Sequence, residues 1–160
     1  MVINMIYEPT KAVSYAHLWA YSRNPAYYDF SNIGGDCTNF ISQCLYAGSG
    51  IMNYTKDVGW FYVSENNRSA AWSGVEYLYK FLTTNKGPGP FGTELPIKYA
   101  LPGDVIQLSF TGNTFEHSLL VVENGQEILI TTHSDDSDNR PLNTYKYQLS
   151  RLIHIDGVRY

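Results

Sequence analysis

The sequence holds two cysteines and four histidines, and one cysteine–histidine pair among them is placed for nucleophilic catalysis. Cys37 follows Gly34-Gly35-Asp36 and opens a stripe of Cys37, Phe40, Ile41, Cys44 and Leu45, the spacing of one helix face. A thiol in the first helical turn meets partial positive charge and free N–H groups, which lower its pKa and favour the thiolate. The two glycines let backbone approach a substrate closely. The Cys37 N–H is a candidate oxyanion-hole donor. The plainer reading, that Cys37 is only the first apolar residue of the stripe, stays open on position alone. Cys44, two turns further in, reads as core. Seven helical rises separate the two Cα atoms by about 10 Å, too far for a disulfide. A catalytic thiol needs a base, and His117 opens the apolar run 118–122, which puts its ring at the end of a strand. The remaining histidines, His17, His133 and His154, are scattered, with no Cys-x-x-Cys pair and no His-Glu-x-x-His helix, so no metal or other cofactor is expected.

The elements that must position this pair follow from periodicity. Pro9-Thr10 opens a helix with Ala12, Val13, Ala16, Trp19 and Ala20 on one face, predicted to stop at Arg23-Asn24-Pro25. The cysteine helix is predicted to end at Gly48. Ser69 can cap one further helix with the stripe Trp72, Val75, Leu78, Tyr79 and Leu82. Lys86-Gly87-Pro88-Gly89-Pro90 reads as a loop. Beyond Pro102-Gly103-Asp104 the runs 105–110, 117–123 and 126–133 have strand length, and Asn124-Gly125 marks a hairpin between the last two. A polar loop, 134–140, leads to a final strand within 149–156. Helices first and an antiparallel sheet after give an α+β class, expected as a single domain over residues 1–160.

The stretch Gly34-Gly35-Asp36-Cys37-Thr38-Asn39-Phe40-Ile41-Ser42-Gln43 resembles the nucleophile motif of the Putative amidase domain family of the papain-like superfamily. The resemblance continues at 103–108 (Gly-Asp-Val-Ile-Gln-Leu), at 117–122 (His-Ser-Leu-Leu-Val-Val), and at His133-Ser134-Asp135-Asp136 with Arg140-Pro141-Leu142. It extends to Arg23-Asn24-Pro25 and to residues 60–85, nearly the whole chain. The layout is also similar to NlpC/P60 and CHAP wall hydrolases. The resemblance implies a papain-like, NlpC/P60-like fold and amide hydrolysis through a thioester on a peptide of the bacterial cell wall. It implies that Asp36 holds a substrate amine, with Thr38 standing where the related enzymes carry serine. It also implies that His133 is the polar third residue that orients His117.

Asp136 is the alternative orienter, since a carboxylate can fix an imidazole tautomer. Hairpin geometry bears on the choice. If Asn124-Gly125 is a two-residue turn, His117 faces Thr132 and His133 points to the opposite face. A three-residue loop or a bulge shifts the register by one and returns His133 to the face of His117.

Composition sets the remaining bounds. A net charge of −4 over 160 residues gives no electrostatic reason to expect nucleic acid as partner. No apolar run has membrane-spanning length. Residues 1–10 lack a basic start and apolar core, so no signal peptide is visible. The protein is therefore expected in the cytoplasm, or at the wall after lysis or non-classical export. Aromatics at 15% fill a core or line a cleft. The competing functional classes are an aromatic-rich wall-binding module without catalysis, which leaves Cys37 and His117 as coincidence, and an acyltransferase or deamidase on the same scaffold.

Overall fold

Val105, Ile106 and Leu108 alternate with nothing exposed between them, and Ser118 to Val122 are buried without a break, so both strands must be covered on both faces. The computed structural model describes residues 4–160. The reading of residues 1–10 as free of an export signal therefore lies partly outside the described residues. In chain order the elements are β1 (Asn4–Met5), α1 (Pro9–Trp19), α2 (Cys37–Ser49), β2 (Tyr62–Ser64), β3 (Asn67–Arg68), α3 (Ala70–Ser73), α4 (Val75–Thr84), β4 (Gly89–Leu95), β5 (Val105–Ser109), β6 (His117–Asn124), β7 (Ile128–Thr132), β8 (Ser137–Pro141) and β9 (Leu149–Arg159). The class is α+β, with an antiparallel main sheet.

The longest strand, β9, is the axis of that sheet. β4 pairs along one side of it, while β5 and β1 pair along the other. From β5 the order continues through β6 and β7 to β8. The helices cover one face, where Phe40, Ile41, Leu45, Trp72 and Leu78 pack with Val105, Leu120, Val122 and Ile153. On the other face Ile106, Leu108, Leu119, Val121 and Ile130 close with Ala100 and Leu142. Alternation along β6 therefore sends Leu120 to the helices and Leu119 away from them. That alternation decides where its first two residues, His117 and Ser118, can point. Among the described residues, no helix is long and apolar enough to cross a membrane.

The structure corrects several predicted boundaries. α1 ends at Trp19, one turn before Arg23. α2 runs past Gly48 to Ser49, and the left-handed cap is Gly50, at φ 70°. Gly48 lies inside the helix, and a Cβ there would sit 2.6 Å from the Tyr7 ring, so glycine at this position serves close packing and not a cap. The single helix expected after Ser69 is two, α3 and α4, broken at Gly74, which is extended. The loop reading of residues 86–90 misses β4, which begins at Gly89-Pro90. β4 pairs on one side only, to β9, so proline's missing N–H is tolerated there. The polar loop 134–140 contains β8, an edge strand whose polar residues suit an exposed edge.

Gly50 isolates the cost of a left-handed cap, because a Cβ there meets nothing within 4 Å. Gly50→Ala is expected to lower unfolding free energy by about 1 kcal/mol. In urea melts this reads as a lower midpoint with unchanged slope.

Candidate functional site

The turn before α2 is set by Gly34 and Gly35, at φ 81° and 101°, a conformation side chains resist. It delivers Asp36 as the N-cap, yet Asp36 makes no side-chain cap to the helix. Its Oδ1 accepts from the Phe30 amide (2.9 Å) and from Asn39 Nδ2 (2.8 Å). Its Oδ2 lies 2.6 Å from His133 Nδ1. At 1% exposure, this carboxylate is engaged at both oxygens by groups of the chain itself. Cys37 comes next, 8% exposed, at the first position of the helix. Thr38 Oγ1 is 3.8 Å from its sulfur, and the Ser118 backbone amide also donates towards it. Burial pushes the thiol's pKa up, and the Asp36 charge adds to the rise. The amide and hydroxyl donors oppose it without cancelling it. The lowered thiol pKa expected from the helix start alone is thus overridden by desolvation. Cys44 is fully buried, and both thiols are free.

His117 is the first residue of β6, paired with Leu108, and 7% exposed. Its ring lies 5.8 Å edge-on from Tyr145 and 6.3 Å from Phe110, on the sheet face away from the helices. Burial, reinforced by the Arg140 charge and partly offset by Asp135, lowers its pKa to about 4. The imidazole is therefore neutral at neutral pH, the form that accepts a proton. Its neighbour Ser118 points the other way, to Thr38 Oγ1 at 2.9 Å. The start of α2 and the start of β6 thus touch at Thr38 and Ser118, the residues that follow Cys37 and His117 in sequence. Among the described residues, no hydrogen bond joins the sulfur to the ring.

His133 is placed elsewhere, for a reason of register. Residues 125–127 form a three-residue loop between the paired Asn124 and Ile128, which alone would turn His133 to the face of His117. A bulge between Val121 and Glu123 then shifts the pairing by one more, so that Leu120 meets Thr131. The two devices cancel. His133 falls on the helix face, stacked on Phe40 with centroids 3.8 Å apart. Its Nε2 is 2.8 Å from the Trp19 carbonyl and 3.2 Å from Arg23 Nη1. Asp136 grips the same Arg23, at 2.8 and 3.1 Å. Neither expected orienter is hydrogen-bonded to His117. The groups that do act on its ring are Arg140, Asp135 and Tyr145. Asp135 and Arg140 fall within the family resemblance, but on sequence none of the three has a role at His117. Ser134 and Asp135, both at positive φ, form the turn that carries them. Their strain is a local signal visible only in the backbone.

A cavity of about 710 Å³ is lined by Tyr7, Pro9, Val13, Leu101 and His154 among others, and by neither Cys37 nor His117. The candidate site lies instead where the starts of α2 and β6 meet, at Thr38 and Ser118. Among the described residues no group of three or more His, Cys, Asp or Glu side chains is arranged to hold a metal.

The depressed His117 pKa makes a stability statement. Between about pH 6.5, where an unfolded histidine titrates, and about pH 4, the unfolded chain binds a proton that the folded chain refuses. Unfolding free energy is therefore expected to fall with acidification across that window, by roughly 1.4 kcal/mol per pH unit at most. His117→Phe should flatten this part of the pH–stability curve measured by urea unfolding.

Comparison with known proteins agrees in class. The chain is 33% identical over 159 residues to "Uncharacterized protein YhbB" of Bacillus subtilis (strain 168), covering 96% of this chain and 49% of that protein. It thus spans about half the length of that relative. No solved structure matches it. Residues 6–155 match the family described as "Putative amidase domain". On that match, over nearly the whole chain, this protein belongs to the Putative amidase domain family.

Proposed function

We propose that this protein hydrolyses an amide bond through a Cys37 thioester, with His117 as general base, on a scaffold of the papain-like, NlpC/P60 kind. The observation that carries the reading is the meeting of a helix-start thiol with the start of the strand that bears a neutral, buried imidazole. The raised thiol pKa and lowered imidazole pKa favour an uncharged resting pair over a preformed ion pair. In the reaction His117 takes the thiol proton as the sulfur attacks the carbonyl, and returns it to the leaving amine. A water molecule, deprotonated by the same ring, then cleaves the thioester and releases the acid. Pairs of this kind are often loose without substrate and tighten when it binds. The Cys37 N–H, in the first helical turn, faces the developing oxyanion. In place of a hydrogen-bonded third residue, the flanking rings of Phe110 and Tyr145 hold the imidazole. The substrate proposed from the family resemblance is a peptide of the bacterial cell wall.

Digestion of purified cell wall, with mass spectrometry of the soluble products, tests both chemistry and substrate. Wild type should release fragments with a new carboxyl and a new amine. Cys37→Ala and His117→Ala should each lose most of this activity, and the double variant should be little worse, because both act in one step. Undiminished digestion by Cys37→Ala would end the thioester reading.

The pH profile gives a separate check. The acid limb of kcat/KM should fall near pH 4, the pKa to which His117 is lowered. Arg140→Gln removes a cause of that lowering, so the limb should move to higher pH. A limb that stays in place would exclude His117 as the titrating base.

A further inference from the structure

Behind Cys37, on the helix face of the sheet, four side chains from four elements stand in single file. Arg151 of β9 donates to Gln107 Oε1 through Nε (2.9 Å) and Nη2 (2.7 Å). Gln107 of β5 donates through Nε2 to the Val75 carbonyl (2.9 Å) and to Ser118 Oγ (3.2 Å). Ser118 Oγ of β6 lies 2.9 Å from Thr38 Oγ1 of α2, which lies 3.8 Å from the Cys37 sulfur. Gln107 and Ser118 are fully buried and Thr38 nearly so.

The donors and acceptors available give this file a direction. A guanidinium only donates, and a carbonyl only accepts, so Arg151 and Val75 fix the amide of Gln107 in one orientation. Both of its hydrogens and both lone pairs of its oxygen are then used. Ser118 must accept from Gln107, and among its partners Thr38 is the one that can take its own proton. Thr38, accepting from Ser118, keeps its proton for the sulfur. The reverse arrangement, Thr38 donating to Ser118, faces the Ser118 proton with donors alone in a site closed to solvent.

We propose that Arg151, Gln107, Ser118 and Thr38 form a one-way hydrogen-bond relay that points each proton along it towards Cys37 and stabilises its thiolate. Successive hydrogen bonds polarise one another at low dielectric, so the permanent charge of Arg151 strengthens the last donor. Tyr79 and Phe115 cover the two faces of that guanidinium at 3.6 and 3.9 Å, and Glu76 anchors it at 2.8 Å. The relay opposes the burial that raises the thiol's pKa, without cancelling it. These four are positioning residues for the hydrolysis proposed above, and the inference deepens that reading while resting for its catalytic consequence upon it.

Other charges around the helix start are accounted for. Asp36 precedes Cys37 and disfavours the thiolate. His117 of β6 is neutral at neutral pH. His133, beyond β7, is engaged by Asp36, with Arg23 and Asp136 behind it. α1 brings Tyr15 onto Gln43, Lys11 onto Glu8 and His17 onto Asp138. α3 carries no titratable group, and Glu94 of β4 accepts from Tyr79.

The test reads Cys37 alone: the pH dependence of its alkylation by iodoacetamide, mapped by peptide mass to separate it from Cys44. Thr38→Val keeps the shape and deletes the last donor. Its midpoint should move up and its rate at pH 7 fall about three- to tenfold, with the high-pH plateau unchanged. Thr38→Ser should restore the wild-type midpoint. Ser118→Ala and Arg151→Met should shift it in the same direction, and neither should add to Thr38→Val. A Thr38→Val midpoint equal to wild type, in protein whose thermal melt shows it folded, would overturn the relay and leave the hydrolase reading standing. Additive shifts from Arg151→Met would overturn it too, by showing that the charge acts without passing through Thr38. Conversely, wall digestion by Cys37→Ala would remove the hydrolase reading and leave the titration result intact.

Discussion

Taking a carboxylate out of water costs several kcal/mol unless donors surround it, and at 1% exposure Asp36 depends wholly on its neighbours. Those neighbours come from the loop after α1 (Phe30), from α2 itself (Asn39) and from the turn after β7 (His133). Each brings further structure with it. Asn39 also accepts from the Trp72 indole, which ties α3 to α2. His133 also meets the Trp19 carbonyl at the end of α1 and lies flat on Phe40. Arg23 clamps Asp136 from the same side. The residue before Cys37 is thus a junction at which four parts of the chain must agree. Its position fixes the first turn of α2, and therefore the sulfur.

At that first turn two electrostatic effects compete, and their magnitudes decide the resting chemistry. The helix terminus and local donors favour a thiolate by amounts typical of exposed or half-exposed ends. Nearly complete burial disfavours it more. Burial acts on His117 as well, and there it disfavours the cation. The same physical cause therefore drives both groups to their neutral forms. In the hydrolysis proposed above, proton transfer is then left to the moment of attack, when the charge that develops on sulfur meets hydrogen bonds already in place.

Much of this was legible in the sequence, because the signals were strong and local. The glycine pair, the stripe from Cys37 to Leu45 and the unbroken apolar runs of β5 and β6 specify the helix start, the helix face and the doubly covered strands. What was not legible depends on partners distant in sequence. β4 opens with Gly89-Pro90, a breaker pair that only the long edge of β9 recruits as strand. β8 is Ser-Asp-Asn-Arg-Pro, polar throughout, and is a strand because β7 offers it an edge. Gly74 reads as a tolerable residue within one helix, but it splits α3 from α4. How many donors converge on Asp36 shows only in the folded chain, because two of them, Phe30 and His133, come from other segments.

The histidine that left the expected site shows how finely such a site is set by register. A strand's side chains change face with every residue, so one inserted residue decides which of two layers a histidine serves. In the β6–β7 hairpin the loop of residues 125–127 and the bulge after Val121 each reverse the face, and together they restore it. Had either acted alone, His133 would lie on the side of His117, and Asp36 would be buried without the partner 2.6 Å from its Oδ2. The bulge therefore ties two outcomes together. It supplies the helix face with a partner for the buried carboxylate, and it leaves His117 to be held by ring packing instead of a hydrogen bond. On this geometry, the supports of the proposed nucleophile and the proposed base are drawn from opposite faces of one sheet, and Ser118, one residue beyond His117, is where they meet.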